Sequence, residues 1–189
     1  MKRVFLAIDT SDEAKAVASA RIALLKKEFP DVRASWVRAE NLHITLKFLG
    51  DATDEQIDEL AAQLGPSFER IGPFTIRLAQ PTAFGKRVLP VAIDDPSASM
   101  SKINEILETA GESLGFPREK RRFKPHLTLA RIRDERRTRP LILKHTGTQI
   151  EPVAWEVRDI VLYESKLQPT GSIYSKLKVF PLGLRTLAG

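Results

Sequence analysis

The 189-residue sequence contains no cysteine, which excludes a disulfide framework, a thiolate zinc site and thiol nucleophile chemistry together. No stretch approaches the ~20 consecutive apolar residues that a membrane-crossing helix needs. The apolar start from Val4 to Ile8 stops at Asp9 with no small-residue cleavage site behind it, so it reads as a buried strand rather than a secretion signal. Low-complexity tracts and long linkers are also missing. These absences set the expectation of a soluble, cytoplasmic protein with no membrane partner; a monomer with no obligate protein partner is expected as well. Histidine is scarce as well, with only His43, His126 and His145.

What is present is an ordinary globular composition, 42% hydrophobic and 29% charged, at a length that suits one large domain or two small lobes. The net charge of +6 is unevenly placed. Between Arg118 and Arg139 ten cations face three acids, a net of +7 that leaves −1 for the rest of the chain. Such a cluster is the electrostatic footprint of a phosphate-bearing partner, although a solvated basic loop would look the same in isolation.

Alternation and β-rich composition predict strands at 4–8, 35–38, 43–49, 74–78, 88–93, 126–132, 156–163 and 174–180. Capping-box spacing at Thr10-Ser11-Asp12-Glu13 and at Thr53-Asp54-Glu55-Gln56 predicts two helix starts. The first helix should end before Pro30 and the second at Gly65-Pro66, and a third should run from about Ser99 to Leu114. Several strand pairs are joined by segments too short for a helical crossover, which points to antiparallel pairing and an α+β fold.

Two pentads stand out: Leu42-His43-Ile44-Thr45-Leu46 and Pro125-His126-Leu127-Thr128-Leu129. In a strand of period two, His43 and Thr45 share one face and His126 and Thr128 another, while Ile44, Leu46, Leu127 and Leu129 turn to a core. If both polar faces line one cleft, two imidazoles and two hydroxyls surround a shared centre. One neutral imidazole can then accept a proton while the other, protonated, donates one, and the hydroxyls can bond phosphate oxygens. A hydrogen-bonded structural histidine is the bland alternative for either strand taken singly. A zinc site is disfavoured because neither pentad has metal-type spacing and a third ligand is not evident. His145, outside both pentads, reads as a surface residue.

The pentads and their surroundings resemble the two-histidine phosphoesterase superfamily, in particular its RNA 2′,3′-cyclic phosphodiesterase (2′-5′ RNA ligase) branch. The resemblance is carried by Arg3 to Ile8, by Trp36 to Gly50, by Phe123 to Arg131 and by Ser172-Ile173-Tyr174. It implies one bilobal domain over residues 1–189, with two pseudo-symmetric lobes of mainly antiparallel sheet, helices on the outer faces and a cleft between. It further implies hydrolysis of a terminal RNA 2′,3′-cyclic phosphate to a 2′-phosphomonoester without metal or other cofactor, and ligation as the reverse reaction. By position, His43 would be the proton donor, His126 the proton acceptor, and Thr45, Thr128 and Arg131 the phosphate-binding residues. The pentads alone do not say which histidine is acid and which is base. Arg131 is out of phase with His126 and Thr128 in an ideal strand, so its contact with phosphate requires a bulge, a strand end or a long reach. Phe5, Phe48, Phe84 and Tyr174 are candidates for stacking on a base. A non-catalytic module that holds RNA ends, or an enzyme for small cyclic phosphates or 2′-5′ oligonucleotides, would fit the same residues.

Overall fold

The structure, a computed structural model, describes residues 1–136, 138–169 and 171–183. The elements run β1 (Lys2–Asp9), α1 (Asp12–Glu28), β2 (Ala34–Trp36), a 3₁₀ turn (Ala39–Asn41), β3 (His43–Ala52), α2 (Asp54–Phe68), β4 (Phe74–Pro81), β5 (Val88–Asp94), α3 (Ser99–Ser113), β6 (His126–Ile132), α4 (Arg139–Gly147), β7 (Ala154–Val157), β8 (Asp159–Gln168) and β9 (Gly171–Pro181). The strands form one sheet in the order β7-β4-β5-β6-β3-β1-β8-β9, with β2 on β6, and every pairing is antiparallel.

The sheet is an α+β half-barrel of two matched halves. The lobe β3-β1-β8-β9 mirrors the lobe β6-β5-β4-β7, and the two meet where β3 and β6 pair at Ile44 and Leu127. Those residues hold the same place in their pentads. A local two-fold axis therefore passes between the two motifs, and it follows from antiparallel pairing of equivalent positions. The curl is imposed by connectivity. β7 closes one edge of the sheet and β8 lies one strand in from the other, yet only Arg158 separates them. A single residue spans only ~3.3–3.6 Å, so the two edges must bend toward each other.

Helices cover the convex side. α2 and α3 pack on each other, with α3 also on β3 and α2 on β9. Their apolar stripes join Ile44, Leu46, Leu127 and Leu129 in the main core. A smaller core under β6 gathers Leu25 of α1, Leu89, Ala130, Ile132 and Leu141 of α4. Each fully buried Leu or Ile contributes roughly 1.5–3 kcal/mol, so the aliphatic faces of the two motif strands bind the helices firmly while the opposite faces stay free.

Four local expectations are corrected. The first helix is capped by Ser11, whose Oγ accepts from the Ala14 amide, while Thr10 is buried and donates to the Leu42 carbonyl. The second helix continues through Gly65-Pro66 to Phe68, because Leu64 and Phe68 on either side of the proline are both fully buried anchors. The run 156–163 is two strands on distant parts of the sheet, β7 and β8. His145 is not a surface residue: it lies in α4, fully buried, with Nε2 3.0 Å from the Pro90 carbonyl.

Candidate active site

The two pentads open β3 and β6 at the seam between the lobes, and their alternation is as expected: His43, Thr45, His126 and Thr128 are part-exposed, and the aliphatic residues between them are buried. Continuing the Ile44–Leu127 register sets His43 across from Thr128 and Thr45 across from His126. Directly opposed residues of an antiparallel pair share a face, so all four polar side chains stand on the concave side of the sheet.

Both imidazoles are oriented in the same way. His43 Nδ1 lies 2.7 Å from the Asn41 carbonyl, and His126 Nδ1 lies 2.8 Å from the Lys124 carbonyl, each two residues back along the chain. A carbonyl only accepts, so Nδ1 carries the proton in both rings and Nε2 is the atom left for chemistry. At His43 that nitrogen is 3.1 Å from Thr45 Oγ1, which donates to it when the ring is neutral. The Asn41 backbone is itself held in place, since Asn41 Nδ2 donates to the Ser172 carbonyl on β9 at 2.9 Å.

The rings are clamped by aromatic neighbours. Phe5 lies 4.9 Å and Tyr174 5.3 Å from the His43 ring, and Phe84 meets the His126 ring edge-on at 4.8 Å. Of the stacking candidates, Phe5 is buried beneath His43, Phe84 and Tyr174 are part-buried partners of the imidazoles, and Phe48 alone is 56% exposed.

Arg131 reaches the cleft face through a bulge. Along β5 and β6, Pro90 pairs with Thr128 and Leu89 with Ala130, so Leu129 has no partner. That extra residue shifts the alternation by one: Leu129 and Ala130 are both buried and Arg131 turns outward on the side of His126 and Thr128. The same bulge stands at Leu46 in β3, where Ala7 pairs with Thr45 and Leu6 with Lys47.

Charge in the cleft is distributed unequally. Burial pushes the proton affinity of both His43 and His126 below the ordinary imidazole range. The Arg131 guanidinium adds to that depression at both rings. Against it, Asp9 favours the charged form of His43, and among the described residues no carboxylate does so for His126. Asp9 accepts hydrogen bonds from Tyr163 Oη and, at 2.6 Å, from Lys176 Nζ. Sequence reasoning passed over Asp9, Asn41, Tyr163 and Lys176. The available signal was that Asp9 is in phase with Ala7 and Phe5 on β1. Among the described residues no three His, Asp or Glu side chains converge as a metal site, and no helix is long and apolar enough to cross a membrane.

A curled antiparallel sheet whose two central strands carry matching His-x-Thr faces defines a structural class, and comparison with known proteins places this chain in it. Residues 9–168 match the 2′-5′ RNA ligase superfamily, and the protein belongs to that family. It is 31% identical over 188 residues to an RNA 2′,3′-cyclic phosphodiesterase of Archaeoglobus fulgidus, covering 94% of this chain and 99% of the relative. A Thermotoga maritima protein of the same name is 30% identical across 93% of this chain and 92% of its own length. A Geobacillus stearothermophilus relative is longer, and the chain spans 58% of it at 30% identity and 96% coverage of this chain. Among solved structures, Escherichia coli LigT complexed with 3′-AMP superposes with a TM-score of 0.75 at 26% identity, covering 96% of this chain and 98% of the other. A Thermus thermophilus protein, TT0787, superposes with a TM-score of 0.78 at 25% identity, covering 97% and 99%.

Proposed function

We propose that this protein hydrolyses a 2′,3′-cyclic phosphate at an RNA end to a 2′-phosphomonoester, with both lobes acting as one catalytic domain. The observation that carries this reading is the pair of Nδ1-tethered imidazoles, related by a local two-fold axis and each accompanied by a threonine on one concave face. Family membership and the names of its nearly full-length relatives supply the substrate class.

In this mechanism the phosphate sits between the lobes. His126 Nε2 takes a proton from water as the water oxygen bonds to phosphorus, and His43 Nε2 gives its proton to the 3′ oxygen as that P–O bond breaks. Thr45, Thr128 and Arg131 hold the non-bridging oxygens, whose charge grows in the transition state. Solvent returns the proton to His43 and removes one from His126. Ligation is the same path reversed, with an RNA hydroxyl in place of water. All steps use this chain's own side chains, so chelator should leave the rate unchanged.

The test is to incubate the protein, with and without EDTA, with an RNA ending in a 2′,3′-cyclic phosphate and identify the product. A 2′-phosphate is expected. His43→Ala and His126→Ala should each lose about 10²–10⁴-fold while keeping the fold, the range typical of a lost general acid or base. An undiminished rate in either variant overturns the proposal.

A further inference from the structure

The two lobes are matched residue for residue across the strands that flank the motifs. On one side Asp9, Ile8 and Ala7 pair with His43, Ile44 and Thr45; on the other Ala92, Val91 and Pro90 pair with His126, Leu127 and Thr128. Ile8 and Val91 are both aliphatic, and Ala7 and Pro90 are both apolar. The place opposite the histidine is the exception, an acid in one lobe and alanine in the other.

We infer that Asp9 is a positioning residue that makes the two near-identical motifs unequal: its carboxylate, set across from His43 and held by Tyr163 and Lys176, keeps the transferable proton on the His43 side of the cleft, while Ala92 leaves His126 free of it. The inference deepens the phosphodiesterase reading, on which the acid role of His43 rests.

The geometry supports it from three directions. Asp9 and His43 are an opposed cross-strand pair and so project from the same face of the sheet. Both line a small hollow of about 200 Å³ together with Lys15, Glu40, Tyr163 and Lys176. Burial works against the charge of Asp9, but its two bonds, one on each carboxylate oxygen, fix its orientation and together with the nearby lysines keep it ionised. Several charges bear on the neighbourhood. Lys176 from β9 and Lys15 from α1 counter Asp9, and Arg131 and His126 from β6 oppose a proton on His43. Tyr163 on β8 stays neutral, because burial and the adjacent Asp9 push its ionisation upward. Asp9 is the group among these that favours the charged imidazole. Lys176 partly masks it.

That arrangement predicts opposite effects from its two members. Asp9→Asn preserves shape and can still bond Tyr163, yet removes the charge; Lys176→Met leaves the charge and removes the mask. The experiment is an NMR titration of the ring resonances of His43 and His126 in the wild type and both variants. The titration midpoint of His43 should move to lower pH in Asp9→Asn and to higher pH in Lys176→Met, with His126 nearly still in both. An unmoved His43 in Asp9→Asn, or equal movement of both rings, overturns the inference. A kinetic arm reads the same asymmetry. In Asp9→Asn, kcat/KM on a cyclic-phosphate RNA should fall at alkaline pH by up to about tenfold, far less than the loss of a general acid, and hold on the acid side. Wild-type protein without turnover would refute the phosphodiesterase reading, and the titration would still decide the role of Asp9.

Discussion

Phe48 and Arg131 occupy equivalent positions in the two lobes. Each is the fifth residue after a motif histidine, and in each strand the bulge at Leu46 or Leu129 turns it toward solvent on the cleft side. The chain thus repeats one backbone device twice and fits it with different chemistry, an exposed aromatic ring on the His43 side and a guanidinium on the His126 side.

In the proposed mechanism the departing 3′ oxygen lies against His43 while the ribose stays joined to phosphorus through its 2′ oxygen, so the terminal base is expected on the side of the exposed Phe48. Base–aromatic stacking is worth about 1–3 kcal/mol. Phe48→Ala should therefore raise KM for RNA ends about five- to 150-fold and change kcat little, and Phe48→Tyr should restore binding. The comparison substrate is a cyclic phosphate without a base, on which the variant should match the wild type.

Arg131→Met tests the other side. Removing the guanidinium should weaken binding of every cyclic phosphate, with or without a base. It also lifts the depression that Arg131 imposes on both imidazoles, so both gain proton affinity. More His126 is then protonated on the acid side and more His43 stays protonated on the alkaline side. The whole bell of relative kcat/KM against pH should move to higher pH.

The wild-type profile follows from the same directions. Both imidazoles are held below the ordinary value of 6.5, so the kcat/KM optimum should lie on the acid side of it. Bound phosphate raises both affinities by its negative charge, and the kcat profile should be displaced to higher pH than that of kcat/KM. Steady-state kinetics across the pH range separate the two.

Stability has its own weak point in the motif strand. Lys47, one residue past the bulge, is buried and its Nζ lies 2.6 Å from Glu108 of α3. Glu108→Ala strands that charge and should cost about 3–5 kcal/mol of unfolding free energy in urea melts. Joint replacement, Lys47→Met with Glu108→Leu, should recover most of it.

His145 gives a second handle. Burial depresses its proton affinity in the folded state below the ordinary 6.5. The unfolded chain takes up the proton first as pH falls, so the stability contributed is full above 6.5 and is lost as the pH drops through the lower folded-state value. His43 and His126 contribute with the same sign. The acid sensitivity of the urea midpoint should diminish, without vanishing, in His145→Gln.

Much of this was legible in the sequence, for physical reasons that can be named. The pentads announce themselves because strand alternation ties histidine and threonine to one face and aliphatics to the other. The strand at 126–132 has the bounds the pattern predicts. Bulges are silent in a period-two reading, and so Arg131 looked out of phase. α4 escaped notice because its buried positions are Leu141 and His145, one of them polar, while the apolar Leu143 beside them is 60% exposed. Nothing in Val157-Arg158-Asp159 marks a break between strands; only the pairing partners on each side reveal it. Asp9 was hidden by its position, since a charge that ends an apolar run reads as a strand terminus.

The place of β1 in the sheet also makes the two lobes unequal in the stretch of chain each draws on. In the sheet β1 lies between β3, made soon after it, and β8, made only after the entire second lobe has been translated. Tyr163 and Lys176, which hold Asp9, and Ser172, which holds Asn41, all arrive with that last hairpin. The lobe that carries His126 therefore draws on no strand beyond β7, whereas β1 in the His43 lobe has an open edge unless β8 pairs with it. Removing β8 and β9 would strip the Asp9 and Asn41 contacts from the His43 side and leave the Lys124 tether and the Phe84 contact of His126 in place.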